Sequence, residues 1–367
     1  MTLAMRSGFW SFALAAMALA ACVSPPPRPP PVDPDAVRAE IVRLMPADVK
    51  TAQGWAIDIF AAFEALSIPP TSEHICGVLA VTEQESNFQV DPLVPGLLAI
   101  ARREIEARAA SHHIPKFMVD AALEIRSANG SSFRERLEHA RTEKDLSELF
   151  EDFIGSVPLG GRMFGDWNPV RTGGPMQVSI EFAENQAKEK HYPYPVEGNI
   201  RSEVFTRRGG LFFGIAHLLA YAAPYDDMVY RFADYNAGQY ASRNAAFQNA
   251  VNIVSKKRLA LDGDLLIEGA DTPSNTELAI RTIGELGLTD AQIRTALEQG
   301  DESKFDRTPL YSRVLALADE APPGRPVPRA IVPRIRLVGP KITRNLTTEW
   351  FAGRVDDRYR RCLAKAQ

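Results

Sequence analysis

The sequence predicts a mainly α-helical protein, on three observations. Apolar residues recur at three- and four-residue spacing in one segment after another. Proline, glycine and Ser/Thr caps punctuate those segments at helix-like lengths. Strict alternation of apolar and polar residues is confined to Arg334-Ile335-Arg336-Leu337-Val338, which reads as one edge strand or an extended strap. The 367 residues carry a formal net charge of −4, so there is no basic footprint for a nucleic-acid partner.

The N-terminal segment is read as a targeting signal and kept out of the fold. Arg6 is the only charge before an apolar stretch from Phe9 to Ala21, short of the roughly 20 residues a spanning helix needs. Leu19-Ala20-Ala21-Cys22 resembles a bacterial lipobox. The resemblance implies that Cys22 is acylated and becomes the mature N-terminus; the alternative is an ordinary signal peptide with an incidental cysteine. Acyl chains hold a protein on a membrane at about 0.8 kcal/mol per buried CH₂. Val23 and Ser24 follow, and the absence of Asp after the cysteine is similar to lipoproteins sorted to the outer membrane, facing the periplasm. Residues 24–35, with Pro25-Pro26-Pro27-Arg28-Pro29-Pro30-Pro31, are read as a stalk of extended polyproline II, about 3.1 Å per residue and so roughly 30 Å in reach; the alternative is a disordered linker with no particular reach.

Each helix follows from its own pattern. Segment 36–45 places Val37, Ile41 and Leu44 on one face, and 54–66 does so with Trp55, Ile59, Phe60 and Phe63 before Pro69-Pro70 stops it. Thr71 or Ser72 caps a helix running to Glu85. Helices are predicted at 97–110, 116–126, 131–141 and 144–154, followed by a Gly/Pro loop over 155–174. Further helices are expected at 180–190, 200–221, 227–235, 242–254, 275–286, 290–299 and 310–319. Prolines 322, 323, 326, 328 and 333 then break the pattern, and 343–366 forms a last helix carrying Cys362. With Cys22 set aside for lipid, an exported chain leaves Cys76 and Cys362 in an oxidising compartment. They are read either as a disulfide joining the C-terminal tail to the helix of Glu85 or as two thiols that never meet.

Four fragments carry chemistry. Glu85-Ser86-Asn87-Phe88 ends an apolar helical run. At 100° per residue Val78 and Val81 lie within about 40° of Glu85, while Glu83 lies roughly 160° away and is expected to face solvent. An apolar setting favours the protonated carboxylic acid, which a general acid requires. Gly173-Gly174-Pro175-Met176-Gln177-Val178 is a turn whose glycines let backbone approach a ligand. Gly214-Ile215-Ala216-His217-Leu218-Leu219 and Phe232-Ala233-Asp234-Tyr235-Asn236-Ala237-Gly238 follow in that order.

Together these resemble the active-site fragments of soluble lytic transglycosylases, lysozyme-like enzymes that cut peptidoglycan glycan strands. The resemblance covers roughly residues 72–255. It implies Glu85 and Tyr235 as catalytic residues, with the tyrosine hydroxyl bonded to the acid. It implies Ser86, Met176, Gln177 and Asn236 as substrate-binding residues, and it needs neither metal nor cofactor. Pro175 stands where the family has Leu, Asp234 where it has Ala, and His217 where it has Tyr; His217 is expected to be buried and satisfied.

The expected architecture is a lysozyme-like helical domain with a large helical insertion and a C-terminal extension. Residues 1–21 are the signal, 22–35 the lipidated cysteine and linker, and 36–71 the N-terminal helices. Residues 72–255 form the transglycosylase domain, with 93–165 inserted, and 256–367 a C-terminal helical region and tail. The insertion is a place for a protein partner. Glycan strands are the expected substrate and the membrane is reached through Cys22. Asp226, Asp227 or Asp234 as a second carboxylate would instead give lysozyme-like hydrolysis. A different class of reading is a catalytically silent peptidoglycan-binding lipoprotein that serves as a scaffold or assembly factor. Adjacent His112-His113 and the incomplete Asp262-Gly263-Asp264 loop argue against a metal site, and the Arg-rich stretch 354–361 is expected to be a solvated face.

Overall fold

The computed structural model describes residues 33–156, 167–321, 325–339 and 344–367. Cys22, the signal and nearly all of the stalk lie outside them. The described chain is mainly helical, with one two-stranded antiparallel hairpin. Among the described residues no helix is long and apolar enough to cross a membrane.

The first helices are α1 (Pro34–Leu44), α2 (Ala52–Ala65) and α3 (Ser72–Ser86). Thr71 starts α3 by accepting the His74 backbone N–H at 3.3 Å. Asn87 ends it in the left-handed conformation at φ 51°. Between those caps every residue from Ile75 to Thr82 is buried, so α3 is the axis of the main core. Around it pack α2 through Trp55, Ile59 and Phe63, then α10 (Arg207–Leu219), α11 (Met228–Ala237) and the last helix, α16 (Thr348–Ala366).

A lobe follows α3, made of α4 (Leu97–Ser111), α5 (Lys116–Leu123), α6 (Phe133–His139) and α7 (Glu143–Ser156). Its root is tied where the Val94 N–H donates to the Arg141 carbonyl at 2.9 Å and Leu93 bridges Thr142. Ser132 and Glu135 form a reciprocal capping box at the start of α6. The strands β1 (Thr172–Gly173) and β2 (Val178–Ser179) pair in the register Thr172 with Ser179 and Gly173 with Val178. They lead into α8 (Ile180–Glu189) and α9 (Ile200–Val204). The single helix expected over 200–221 is two: Thr206 interrupts it and accepts the Gly209 N–H at 3.0 Å, capping α10.

A second core forms around Phe247, Phe305, Tyr311 and Val314. It gathers α12 (Ala241–Ser255), α13 (Asn275–Arg281), α14 (Asp290–Leu297) and α15 (Pro309–Glu320). Glu277 is fully buried there and pairs with Arg281 at 2.5 Å and Arg294 at 2.8 Å. The cores therefore do not divide at residue 255. Helix α12 packs with the C-terminal helices, whereas α16 returns to the first core.

The alternating stretch 334–338 is a strap, not a sheet strand. Arg334 N–H donates to Leu261 C=O at 2.7 Å, Leu337 N–H to Leu346 C=O at 2.8 Å, and Arg336 forms one bridge with Thr347. The strap delivers α16 onto α3, where Cys362 is disulfide-bonded to Cys76 with Cα atoms 5.5 Å apart. Glu83, expected to face solvent, is only partly exposed and pairs with Arg358 at 3.3 Å and Arg361 at 3.6 Å. The Arg-rich face of α16 is correspondingly a packing face at Arg358, whose side chain is 16% exposed.

A disulfide spanning 286 positions removes much of the unfolded chain's freedom, in the range of about 2–5 kcal/mol. Cys362→Ser should lower the unfolding free energy of the mature chain by that amount, and its denaturant midpoint with it. An unchanged midpoint would show that packing alone holds α16.

Candidate functional site

Glu85 stands half-buried on the last turn of α3. Tyr235, one turn from the end of α11, faces it closely enough for the carboxylate charge to act on the phenol. Burial first, and that charge second, push the Tyr235 hydroxyl well above the usual phenol range, so it stays protonated. Its proton is given to the Met176 carbonyl at 2.7 Å. Tyr235 is thus fastened to the hairpin turn, with the Glu85 charge near enough to act on its phenol.

The turn is shaped by close approach. Gly174 has φ 70°, and a Cβ there would lie 2.1 Å from the Val204 carbonyl oxygen. Gln177 N–H closes the turn on Gly174 C=O at 3.0 Å, with Gln177 itself at φ 52°, an uncommon conformation for a residue with a side chain. Met176 is fully buried against Gly214, where a Cβ would come within 2.6 Å of it. The Pro175 ring uses the matching gap one turn earlier on α10, 2.4 Å from where a Cβ of Gly210 would be. The Leu-to-Pro departure is thus absorbed by a glycine on the neighbouring helix.

His217, on α10, packs its ring 5.0 Å from Tyr235 and 4.6 Å from Phe182. Burial pushes its pKa down to about 4, so the imidazole is neutral near pH 7. Its Nδ1 is enclosed and has no hydrogen-bond partner among the described protein atoms. The imidazole engages the Tyr235 backbone, so it is satisfied at one side only.

Other expected site residues are placed differently. Ser86 is 5% exposed and donates to the Thr82 carbonyl of its own helix at 3.1 Å, so it turns inward. Gln177 donates from Nε2 to Gly174 C=O at 3.3 Å, keeping its amide within the turn. Asn236 is exposed, with Oδ1 accepting from the Thr348 hydroxyl at 3.0 Å. Asp227 caps α11 through the Val229 N–H at 3.1 Å, and Asp226 is exposed.

Asp234, one of the candidate second carboxylates, is fully buried. Its carboxylate accepts the Tyr221 hydroxyl at 2.9 Å, the Tyr225 hydroxyl, the Tyr240 N–H at 3.1 Å and the Ser242 N–H at 2.7 Å. It fixes the start of α12, a role that needs the two tyrosines sequence reasoning missed. The clue was available in the run Tyr221 to Tyr230, where three tyrosines cluster before Asp234. Desolvation outweighs these donors and pushes its pKa up to about 6. No group of three or more His, Cys, Asp or Glu side chains among the described residues is arranged to hold a metal ion.

These features define a mainly helical scaffold that sets an acid beside a phenol anchored to a glycine-rich turn. A model of proteins of unknown function, DUF1615, matches residues 48–365, and the chain belongs to that family. It is similar to the uncharacterised protein YaiW of Escherichia coli (strain K12), 53% identical over 353 residues that span 95% of this chain and 96% of that protein. No solved structure matches the chain.

The Asp234 pKa has a consequence for stability. It is raised in the folded chain above the ordinary value of about 3.9, so protonation favours the fold. Its contribution is fullest below about pH 4 and is lost as pH rises through about 6. Relative to Asp234→Asn, the native chain should gain about 2–3 kcal/mol between pH 7 and pH 4. Urea titrations of both proteins at the two pH values measure this, and a pH-independent difference would refute it. Asp234→Ala, which strands buried donors, should cost about 2–4 kcal/mol at pH 7.

Proposed function

We propose that the protein is a peptidoglycan lytic transglycosylase with a lysozyme-like catalytic fold, and that Glu85 is its single general acid and base. One observation carries the reading: three fragments far apart in sequence converge on Tyr235. Glu85 bears on its phenol electrostatically, Met176 receives its proton, and Tyr235 itself starts the Tyr-Asn-Ala-Gly turn.

In the proposed reaction Glu85 gives its proton to the glycosidic oxygen between N-acetylmuramic acid and N-acetylglucosamine. The C1–O bond breaks. The Glu85 carboxylate then takes the proton of the muramic 6-hydroxyl as that oxygen bonds to C1, leaving a 1,6-anhydro end. The acid is regenerated and no water is consumed, so one carboxylate suffices where hydrolysis ordinarily uses two. That Asp227 caps a helix and Asp234 is held by four donors favours this route over hydrolysis. Tyr235 acts as a positioning residue, holding the hairpin at a fixed distance from the acid. No cofactor enters the scheme.

A second reading, a silent glycan-binding scaffold, is favoured by the engagement of Gln177 with Gly174 and of Asn236 with Thr348. Digestion of purified sacculi by the mature chain, read by mass spectrometry, separates the readings. Fragments ending in anhydro-muramic acid support the transglycosylase, and fragments heavier by one water indicate a hydrolase. Glu85→Gln should lower the rate by a factor of about 10²–10⁴; equal release by both forms would leave only the scaffold.

Cellular placement belongs to the same proposal: an outer-membrane lipoprotein facing the periplasm, anchored at Cys22, with the lobe in 93–165 open to a protein partner. Cys22→Ser should move the protein from the membrane to the soluble fraction. Retention on the membrane without an acylated N-terminus would reject the anchor.

A further inference from the structure

The lobe formed by α4 to α7 contains a cavity of about 220 Å³. Its walls are paired residues four apart: Ile105 and Ala109 on α4, Val119 and Leu123 on α5, Leu149 and Phe153 on α7. Side chains four apart stack along one helix face, so each helix contributes an apolar ridge and the ridges line a slot. Among the described residues that line it, the charged ones are Glu104 and Arg108, and the Arg108 guanidinium donates to the Trp167 carbonyl at 2.7 Å. Little in the wall reads a polar ligand.

One side of the slot reaches the surface. Met118 lines the cavity and is 52% exposed, and its neighbour Phe117 is 71% exposed. Helix α5 has no buried residue, unusual for a helix bearing Phe, Met, Val and Leu within eight positions. Apolar cavities of about 150 Å³ already take up small hydrocarbons and exclude water. This one is larger and meets solvent through an apolar rim.

We infer that the lobe cavity is a binding site for the hydrocarbon chain of an amphiphile, an unbranched acyl chain entering past Met118 with its polar head left in solvent at Phe117. The described wall residues offer few polar groups to select a sugar or peptide, and the helical ridges suit an extended chain. None of the wall residues belongs to the Glu85 site, so the inference stands apart from the proposed glycan chemistry.

A free fatty acid and the acyl tail of a phospholipid share this chemistry. Titration calorimetry of the mature chain with dodecanoate, and with a dodecanoyl lysophospholipid below its micelle concentration, tests both. Saturable one-to-one binding of either supports the site, and the preferred probe identifies the source. Val119→Trp, which fills the slot, should weaken that binding at least tenfold, while Glu85→Gln should leave it unchanged. The Met118 methyl resonance of the native chain, assigned through Met118→Leu, provides a readout independent of whether the filled variant folds; it should shift on addition of dodecanoate. No saturable binding of either probe, an unmoved Met118 methyl at saturation, or undiminished affinity in a folded Val119→Trp protein would each overturn the inference.

Discussion

The burial of α3 on every side is the constraint from which the rest follows. From Ile75 to Thr82 no side chain of that helix reaches solvent, so its polar side chains are confined to its two ends, and the motif acids to the last turn. Two acids stand there, two residues and roughly 160° apart. Glu83 is directed to the arginines of α16 and Glu85 toward Tyr235. The last turn of this helix thereby sends its two carboxylates to different partners.

Helix α11 is the joint between the two cores. Its consecutive residues Asp234 and Tyr235 point to different partners, the first into the start of α12 and the second into the hairpin turn. The glycines of α10 let the turn come close enough to be caught: Gly210 receives Pro175 and Gly214 receives Met176. The position of the hairpin relative to the acid is therefore set by packing against a helix, and the Tyr235 hydrogen bond secures it. The neutral, partly unsatisfied His217 lies against the same tyrosine. A buried nitrogen without a partner is costly, and its persistence beside Tyr235 sets this spot apart from ordinary core.

The helices were legible because an amphipathic helix declares itself every three or four residues. Thus α1, α2, α4 and α15 begin and end within a few residues of where their apolar spacing places them. The hairpin was not legible as strands, because two residues per strand carry no alternation. The orientation of Ser86 was missed because a motif gives adjacency, not rotation: one residue past Glu85 turns 100° and faces its own helix. The partners of Asp234, Asn236 and Glu83 were hidden for another reason. They come from Tyr221 and Tyr225 in a turn, Thr348 after the strap, and Arg358 on the last helix, and no local pattern announces a contact across the chain. Pro175 illustrates the converse: a departure visible in sequence whose accommodation by Gly210 only the packing reveals.

The return of α16 to the first core also dictates an order of events in the life of the chain. A polypeptide leaves the ribosome, or crosses a membrane, with its N-terminus leading. Helix α3 is made early, yet the helix that covers it, and the cysteine bonded to it, lie at the far end of the sequence. Until those final residues arrive, the most apolar helix of the protein lacks one of its walls and Cys76 lacks its partner. Completion of the core is thus necessarily a late, whole-chain event, and a molecule that stops short of its last turns holds every motif of the candidate site on a core that cannot yet be closed.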